Sequence, residues 1–379
     1  MSSATQHINE AAEAMDAQVA VSANSRMVAE VEPLIVAPFH FFHVRVARIE
    51  QLSPTFRRIA FVGDGLSDWA HGGRDQRVKV LTPSPSGKLP QHLLNDADWW
   101  GKWREMPAED KAPMRTYTGR AFSRAHETSH GADEIAVDFV LHGDGDGAGD
   151  GPASRWALNA RVGDEAVLVG PSVRGGGRDG GIEWKPPASA KRIILAGDET
   201  AAPAICSIID FAAREGLLAG RNPMDIRAFI EVPCDEDRLP CEFENHPQVK
   251  VTWLTRGEAP HGEHLDAAVR STVTSRLVHE CGLMCSGASC LTRAAGTAGA
   301  AGVLAGLRAE LEDVDIESEI LWDVQPQGED ATAAGCYAWI AGEAGVVKGL
   351  RRHLVTTLGM DRRSVAFMGY WRQGRAELS

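Results

Sequence analysis

The feature that most constrains the fold is a change of hydrophobic pattern near residue 187. Before this point the chain runs through short, mostly alternating apolar segments, separated by turn signals such as Leu52-Ser-Pro-Thr. Short strands with turns between them are typical of a small antiparallel barrel. Beyond residue 187, apolar segments alternate with segments of helical spacing, which is typical of a mainly parallel sheet covered on both faces. The sequence therefore predicts a β-barrel followed by an α/β domain.

The pattern also predicts how the chain is divided. A flexible tail over 1–38 precedes a barrel domain over 39–172, a Gly/Pro-rich linker over 173–187 and an α/β domain over 188–379. The linker equally fits a mobile loop of the barrel domain, and an insertion at about 258–335 has no place in the pattern. The predicted barrel strands are 41–49, 56–62, 77–81, a strand around Arg115, 135–141 and 165–169, with a helical or loop insertion near 95–100. The predicted sheet strands are 191–196, 226–232, 249–254, 337–341 and 364–368, with helices over 201–215 and 344–357.

Charge and composition narrow the function classes. The net charge of −13 over 379 residues argues against non-specific binding of nucleic acid. No apolar run approaches the ~18 residues of a membrane helix, and the start of the chain lacks the apolar core of a signal peptide. We therefore expect a cytoplasmic protein without membrane insertion, whose seven cysteines are reduced.

The segment Met114–Arg120 contains the pattern Arg-x-Tyr-Thr-x-Arg. On an extended segment Arg115 and Tyr117 share one face, while Thr116, Thr118 and Arg120 share the other. A guanidinium beside an aromatic ring and a hydroxyl suits a ligand that has both a phosphate and a flat ring system, as a flavin nucleotide does. The alternative is an exposed strand with ordinary cross-strand pairs.

A second motif combines Asp138–Gly143 with Gly151–Ala157. The sequence Gly-Pro-Ala-Ser before Trp-Ala-Leu predicts a turn that delivers Ser154 as the cap of a short helix. Free backbone N–H groups at such a helix start suit a pyrophosphate. A simple capped helix after a loop rich in Asp and Gly explains the same residues.

Two further motifs stand where predicted parallel strands end, which is the edge at which such sheets bind nucleotides. In Leu195–Ala204 the acids Asp198 and Glu199 would repel phosphates bound directly on them, which favours a role at the edge of a nicotinamide or flavin ring. The alternative is that these acids interact favourably with the positive end of the dipole of the following helix. No Gly-x-Gly-x-x-Gly is present. In the second, Trp339–Glu343 leads to a helix whose cations fit either an adenosine phosphate or a solvated face: Lys348, Arg351 and Arg352.

The last motif, Gly369–Gly374, contains the aromatic pair Tyr370 and Trp371. The pair either covers the ring of a bound cofactor or anchors the end of the chain to the core. Two other clusters resemble metal sites only superficially. Cys281, Cys285 and Cys290 lack the pairing of a zinc site, and His261 and His264 are spaced too closely for a zinc-binding helix. We therefore expect no metal site.

Taken together and in order, these motifs resemble the siderophore-interacting protein family, the flavin-dependent ferric-siderophore reductases of the ferredoxin-reductase-like superfamily. The matching pieces are Arg115–Arg120, Asp138–Gly143, Gly151–Ala157, Gly197–Ala201, Tyr337–Glu343 and Gly369–Arg372. Each piece alone is weak evidence, whereas the ordered set covers most of 39–375. The chain departs from the family in its tail and in the span 258–335, which leaves its oligomeric state and partners open.

The resemblance implies FAD in the barrel domain and NADPH or NADH on the parallel sheet. Arg115 would meet the FAD phosphates, Tyr117 would pack on the isoalloxazine, and Thr118 would bond near its reactive nitrogen. The resemblance further implies flavin contacts from Val140, His142, Ala153 and Ser154, a nicotinamide side lined by Gly197, Asp198, Glu199, Thr200 and Glu343, a ring-covering Trp371, and a basic patch for the ferric siderophore formed by Lys79, Arg155 and Arg372.

The function that follows is electron transfer from NAD(P)H through FAD to a ferric siderophore, with release of Fe(II) for iron assimilation. The protein would supply orientation and electrostatics and needs no general base or nucleophile. The alternatives are a general NAD(P)H-flavin oxidoreductase, a reductase fed by ferredoxin, and a siderophore-binding protein without enzymatic activity. Lys348, Arg351 and Arg352 favour NADPH slightly over NADH through a 2′-phosphate contact.

Overall fold

The computed structural model describes residues 39–90, 93, 99–141, 151–175, 177–274, 321–324 and 335–374. Several predictions lie outside these residues and are not taken further. They concern the tail over 1–38, the cysteines at 281, 285 and 290, and the flavin contact predicted for His142.

The first part of the described chain is a closed antiparallel barrel, as predicted. Its strands are β1 (Phe39–Gln51), β2 (Phe56–Val62), β3 (Arg77–Leu81), β4 (Met114–Ser123), β5 (Glu134–Val140) and β6 (Glu165–Pro171). They pair in the order β1-β2-β5-β4-β3-β6 and close on themselves. Alternate residues of each strand fill the interior, for example Val78 and Val80 of β3 and Val137 and Phe139 of β5.

Two helices cover the outside of the barrel. Helix α1 (Trp99–Glu105) begins within the segment predicted as a helical or loop insertion, and its buried Trp103 packs with Leu81 and Val167. Helix α2 (Pro152–Asn159) packs against β2 and β5. The Arg57 guanidinium donates to carbonyl oxygens in the last turn of α2, at 2.9 Å from Ala157 and 2.5 Å from Leu158.

The prediction that Ser154 caps α2 is wrong. The helix begins three residues earlier, with Gly151 as its N-cap and Pro152 in the first helical position. Proline is favoured there because its fixed φ suits a helix and its missing N–H has no intrahelical partner to lose. Ser154 is therefore a buried residue inside the first turn.

The second part is a mainly parallel sheet with helices on both faces, as predicted. Its strands are β7 (Arg192–Gly197), β8 (Asp225–Val232), β9 (Val249–Thr255), β10 (Trp322–Val324), β11 (Cys336–Glu343) and β12 (Val365–Trp371). The order is β10-β12-β11-β7-β8-β9, and only the edge strand β10 runs antiparallel. The helices are α3 (Ala202–Arg214) on one face, with α4 (Glu263–Thr272) and α5 (Ala344–Arg351) on the other. Helix α5 continues as a π-helical segment over Arg352–Thr357.

The barrel and the sheet are joined by buried carboxylates. Asp237, which follows β8, accepts from the Ser53 hydroxyl at 2.7 Å and from the Thr55 backbone at 2.9 Å, and so fixes the β1–β2 turn. Asp75 of the barrel accepts from the Trp339 indole of β11 at 2.8 Å and from the Trp184 backbone at 3.1 Å. These contacts hold the barrel against the sheet.

The glycine-rich connection is also held by side chains of the barrel. The Gln76 amide donates to the carbonyl oxygens of Arg178 at 3.0 Å and Gly180 at 3.2 Å, and Arg74 pairs with Asp179 at 2.7 Å. The connection thus runs along the barrel surface with defined contacts.

The thiols follow the prediction in part. Cys206, Cys234 and Cys241 are free, whereas Cys336 is disulfide-bonded, so the expectation of uniformly reduced cysteines is wrong at that position. In the part of the chain that the structure describes, none of the helices has the length and apolar character needed to cross a bilayer.

Candidate functional site

The Arg-x-Tyr-Thr motif lies on β4, and strand pairing fixes which way its side chains point. Tyr117 stands opposite Val78 and Arg115 opposite Val80, on the face of the barrel interior. Thr116 stands opposite Lys79 on the outer face. The predicted alternation of Arg115 and Tyr117 against their neighbours therefore holds up to the β-bulge between Gly119 and Ala121.

The Tyr117 ring belongs to an aromatic group at the end of the barrel. Its centroid lies 4.5 Å from that of Phe139 at a tilt of 48°, and Phe139 in turn lies 6.0 Å from Trp156 of α2. Phe139 is fully buried, whereas Tyr117 is half-buried. The Tyr117 ring thus packs against the barrel core through Phe139 and is itself only partly buried.

Other residues of the predicted flavin site lie on β4 and on the neighbouring elements. Arg115 is half-buried and donates to the carbonyl oxygen of Met114 at 2.9 Å. Thr118 and Val140 are buried, at 7% and 8% exposure. Strand β4 pairs with β5, and β5 packs against α2, the helix that carries Ala153 and Ser154.

The start of α2 has the character of an anion site. Its N-cap is a glycine, so no N-cap side chain accepts from the first-turn N–H groups. Arg155 in the same turn is exposed. A supported aromatic ring, a half-buried guanidinium and a helix start of this kind together fit a ligand with a flat ring system and a pyrophosphate, as FAD is.

The second group of predicted residues meets at the carboxyl edge of the sheet. Asp198, which follows β7, accepts from the Glu343 backbone and from the Trp371 indole, both at 2.8 Å. It also accepts from the Thr200 backbone at 2.9 Å and hydroxyl at 2.5 Å. One carboxylate therefore ties together the ends of β7, β11 and β12. Burial, followed by the neighbouring Glu199 carboxylate, raises the pKa of Asp198 to about 6.

Glycines allow the close approach that this arrangement needs. Gly342 has φ +139°, and a Cβ there would lie 2.6 Å from an Asp198 carboxylate oxygen. A Cβ on Gly197 would lie 2.6 Å from the Ala341 carbonyl oxygen. Beside them the Glu343 side chain caps α5 by accepting from the Val346 backbone at 2.9 Å.

Glu199 is paired with a residue that the sequence analysis did not single out. The Arg256 guanidinium donates to both of its carboxylate oxygens, at 2.8 and 3.1 Å. Arg256 also lies 3.6 Å from Glu231, which accepts from the backbone at the start of α4. Both acids of the Gly-Asp-Glu-Thr motif are thus at most 4% exposed and already paired. Their carboxylates stabilise the edge, and a ligand there would meet backbone and neighbouring side chains.

The remaining cations do not form a common surface. On α5 and its extension Arg351 is buried, Lys348 is half-buried and Arg352 is exposed, so the three do not share an exposed face. The predicted siderophore patch is spread over three elements. Lys79 lies half-buried on the outer face of β3, Arg155 is on α2, and Arg372 directly follows β12.

Arg120, the last residue of the barrel motif, contacts the other domain. Its guanidinium pairs with Asp210 of α3 at 2.8 Å and lies 3.9 Å from Asp138 of β5. Asp138 is held by Arg58 at 2.6 and 2.8 Å. The sequence signal for this pair was weak, because Arg120 stood in a motif but its partner lies 90 residues further along the chain.

Two family models match the chain, one for each part of the fold. Residues 45–175 match the siderophore-interacting FAD-binding domain, and residues 190–374 match the siderophore-interacting protein model. The chain belongs to the siderophore-interacting protein family. This family membership places an FAD-binding domain at the barrel that carries Arg115 and Tyr117.

Individual relatives agree with this assignment. An uncharacterized protein of Mycobacterium tuberculosis is 33% identical over 226 residues, which are 58% of this chain and 66% of that protein. The ferric vibriobactin reductase ViuB of Vibrio cholerae is 27% identical over 55% of this chain and 64% of its own length. The matches thus span about two thirds of these relatives.

Among solved structures, the siderophore-interacting protein SipS from Aeromonas hydrophila superposes with a TM-score of 0.51 at 24% identity. The superposition covers 89% of this chain and 93% of SipS. At this level of identity the likeness shows the fold, which is the predicted combination of an antiparallel barrel and a mainly parallel sheet.

Proposed function

We propose that this protein is an FAD-dependent ferric-siderophore reductase that takes electrons from NAD(P)H and releases Fe(II). The observation that carries the proposal is the β4 motif, where a half-buried Tyr117 ring and the Arg115 guanidinium share one face, together with the start of α2, which packs on the neighbouring strand β5. Family membership and the similarity to a ferric vibriobactin reductase support the same activity.

The residues of the barrel would hold the flavin. Arg115 and the first-turn N–H groups of α2 would bind its phosphates, and Tyr117 would pack on the ring system, with the Thr118 hydroxyl near the ring edge. Bound FAD would supply the conversion between a two-electron hydride donor and a one-electron iron acceptor. The barrel over 39–172 would then be the flavin domain, and 188–379 the nucleotide domain.

The sheet edge would receive the pyridine nucleotide. The ties from Asp198 to Glu343 and Trp371 fix three strand ends, and the backbone of this edge, from Gly197 to Thr200, would line the nicotinamide side. Lys79, Arg155 and Arg372 would attract an anionic ferric complex towards the flavin, since positive charge raises the local concentration of an anion.

The test begins with the visible spectrum of the purified protein and its anaerobic reduction by NADPH, by NADH and by reduced ferredoxin. We expect bound FAD, reduction by a pyridine nucleotide, and reoxidation of the reduced flavin by a ferric siderophore. Purified protein that neither contains nor takes up FAD, or a reduced flavin that ferric siderophores leave reduced, would contradict the proposal.

A matched pair of arginine variants tests the flavin contact. Arg115→Ala should weaken FAD binding about 10- to 100-fold, because charge-assisted hydrogen bonds contribute about 1.5–3 kcal/mol each. Arg161→Ala is the control, since Arg161 is an exposed arginine after α2. Equal FAD affinity in the two variants, measured by titration of the flavin-free protein, would show that Arg115 does not bind the cofactor.

A further inference from the structure

A pocket of about 480 Å³ lies over the first residues of β7, β8 and β9, beside the end of α4. Volumes of about 300–1,000 Å³ are usual for sites that bind small organic molecules. We call it the strand-start pocket, and its lining includes Arg192, Ile194, Asp225, Arg227, Phe229 and Lys250. The proposed pyridine-nucleotide site stands at the opposite end of the same strands, on the order of 20 Å away along β7.

The register of the parallel strands explains why these side chains meet. Arg227 of β8 stands between Ile194 of β7 and Lys250 of β9. Arg192 stands beside Asp225 in the same way, two residues nearer the start of the strands. Alternate residues of a strand point to one face, and neighbouring strands lie about 4.8 Å apart. The four charged residues therefore form one group on the face of the sheet that α4 covers.

The strand-start pocket has an apolar floor. Ile194 and Phe229 are buried, and they belong to the core cluster that includes Val273, directly after α4. Helix α4 ends at Thr272, and its last two residues, Ser271 and Thr272, border the pocket. An apolar group in the pocket would thus pack against the sheet, with hydroxyl-bearing residues at one side.

The charges in the lining do not balance. Asp225 is shared by Arg192 at 3.3 Å and Arg227 at 2.9 Å, and two guanidinium groups have more N–H donors than one carboxylate can accept. Lys250 is exposed and forms no ion pair within the part of the chain that the structure describes. Three cations against one carboxylate leave an excess of two positive charges, in a chain whose net charge is −13.

A solvated strand end explains only part of this group. Arg192 and Asp225 form a partly exposed pair of a kind that contributes little to stability. Arg227 differs, because strands of a parallel sheet covered on both faces are normally near-continuous apolar runs. It also stands next to Lys250 on the neighbouring strand, and like charges placed in this way repel each other. An anion bound between the two would remove that repulsion.

We propose that the strand-start pocket is a second ligand site, which binds a small organic anion. The oxyanion group would lie between Arg227 and Lys250, and the apolar body of the ligand would pack on Ile194 and Phe229. Arginine pairs with the oxygens of carboxylates and of phosphates alike, so both groups fit this chemistry. The site does not depend on the proposed reductase activity, since it lies at the other end of the sheet.

The test uses three probes that share a naphthalene ring: 1-naphthyl phosphate, 1-naphthoate and the neutral 1-naphthalenemethanol. Their affinities for the FAD-loaded protein are measured by calorimetry, with NADP⁺ in the solution so that the proposed nucleotide site is filled. We expect both anions to bind at least about 10-fold more tightly than the alcohol, because only they form charge-assisted hydrogen bonds. The tighter of the two anions shows whether the site prefers phosphate or carboxylate.

Two variants connect this binding to the strand-start pocket. Arg227→Gln and Lys250→Glu should each weaken the anions about 10- to 100-fold and leave the alcohol within about twofold. Lys250 is exposed, so its replacement does not threaten the fold. The control is Arg221→Gln, which removes an exposed arginine shortly before β8 and should change none of the affinities.

Equal binding of charged and neutral probes, or anion affinities that both variants leave unchanged, would overturn the site. Native protein that binds none of the probes at about 1 mM would overturn it as well. Flavin content and the midpoint of thermal unfolding are recorded for each variant, so that a folding defect is recognised. A protein that binds the anions here but does not reduce iron keeps this site and loses the reductase.

Discussion

The β4 motif and the carboxyl edge of the sheet both carry residues that the sequence assigns to cofactor binding, yet they are built in opposite ways. On β4 the Arg115 and Tyr117 side chains are half-buried, and the Tyr117 ring packs against Phe139. At the sheet edge Asp198 and Glu199 are almost fully buried and paired with other groups of the protein. In the proposed function the barrel motif would use its side chains to bind a ligand, whereas the edge uses its side chains to hold the backbone in place.

The difference shows that a motif can serve a site in two ways. A residue that contacts a ligand directly should change ligand affinity when it is substituted and change stability little. A residue that holds the site together should do the reverse, because its substitution leaves buried polar groups without partners. The following variants separate the two cases.

The largest effect is expected from Arg120→Ala. This residue of the barrel motif resembles the acids of the sheet edge, because its side chain is buried and paired with another charged group of the protein. The side chain is 10% exposed and pairs with the buried Asp210. Its removal leaves an uncompensated buried charge, so we expect a loss of about 3–5 kcal/mol in the free energy of unfolding. Urea unfolding followed by tryptophan fluorescence measures this loss.

The control for Arg120 is Arg238→Ala, which removes an exposed ion pair to Asp235. Exposed pairs of this kind contribute less than about 1 kcal/mol. If the Arg120 and Arg238 variants unfolded at the same urea concentration, or if Arg120→Ala lost FAD without losing stability, the classification of Arg120 as a structural residue would be wrong.

A smaller effect is expected in the pH dependence of stability, where the two regions act in opposite directions. In the barrel, burial lowers the pKa of His71 to about 4, with the charges of nearby arginines adding to the effect. Between about pH 4 and 6.5 the unfolded state then binds more protons at this site, so His71 makes stability rise with pH. At the sheet edge the raised pKa of Asp198 means that the folded state binds more protons between about pH 4 and 6, so Asp198 makes stability fall with pH.

Each of these contributions amounts to about 3 kcal/mol at most, and in the native protein they largely cancel. Asp198→Asn should therefore give a steeper rise of stability between pH 4 and 6 than the native protein, and His71→Gln should give a fall. Urea unfolding at four pH values in this window checks both slopes. Parallel curves of unfolding free energy against pH for the native protein and both variants would show that His71 and Asp198 do not have these shifted pKa values.

The smallest effect concerns the glycine at the sheet edge. Gly342→Ala places a Cβ against Asp198 at a φ of +139°, so we expect a loss of about 1–3 kcal/mol in the free energy of unfolding. Gly349→Ala, in helix α5 with no atom near the new Cβ, should instead gain up to about 1 kcal/mol. Unfolding midpoints that moved in the same direction would show that the edge is not tightly packed around Asp198.

Much of the fold could be predicted because strand and helix patterns are local. The strands 56–62 and 77–81 were predicted to the residue, since turn signals bound them on both sides. The start of α2 was misplaced because Ser154 and Pro152 are both favourable start signals, and the fixed φ of Pro152 decided between them. The side-chain directions of Arg115 and Tyr117 followed from strand alternation alone.

The partners of buried charges could not be predicted in the same way. Asp237 binds the turn at Ser53, which lies 184 residues away, and nothing in either local sequence marks the contact. The pairing of Glu199 with Arg256 likewise depends on how β7 and β9 are placed in the sheet. The sequence could therefore place Asp198 and Glu199 at the sheet edge but could not tell that their carboxylates point into it.

Asp75 fixes the position of the barrel against the sheet. Because one barrel carboxylate receives both the indole of Trp339 and the backbone N–H of Trp184, the two halves cannot slide apart without leaving a buried charge unsolvated. A donor on the sheet and an acceptor on the barrel would accordingly meet at a preset distance. In the proposed reductase, electron transfer would then not require one half to close onto the other.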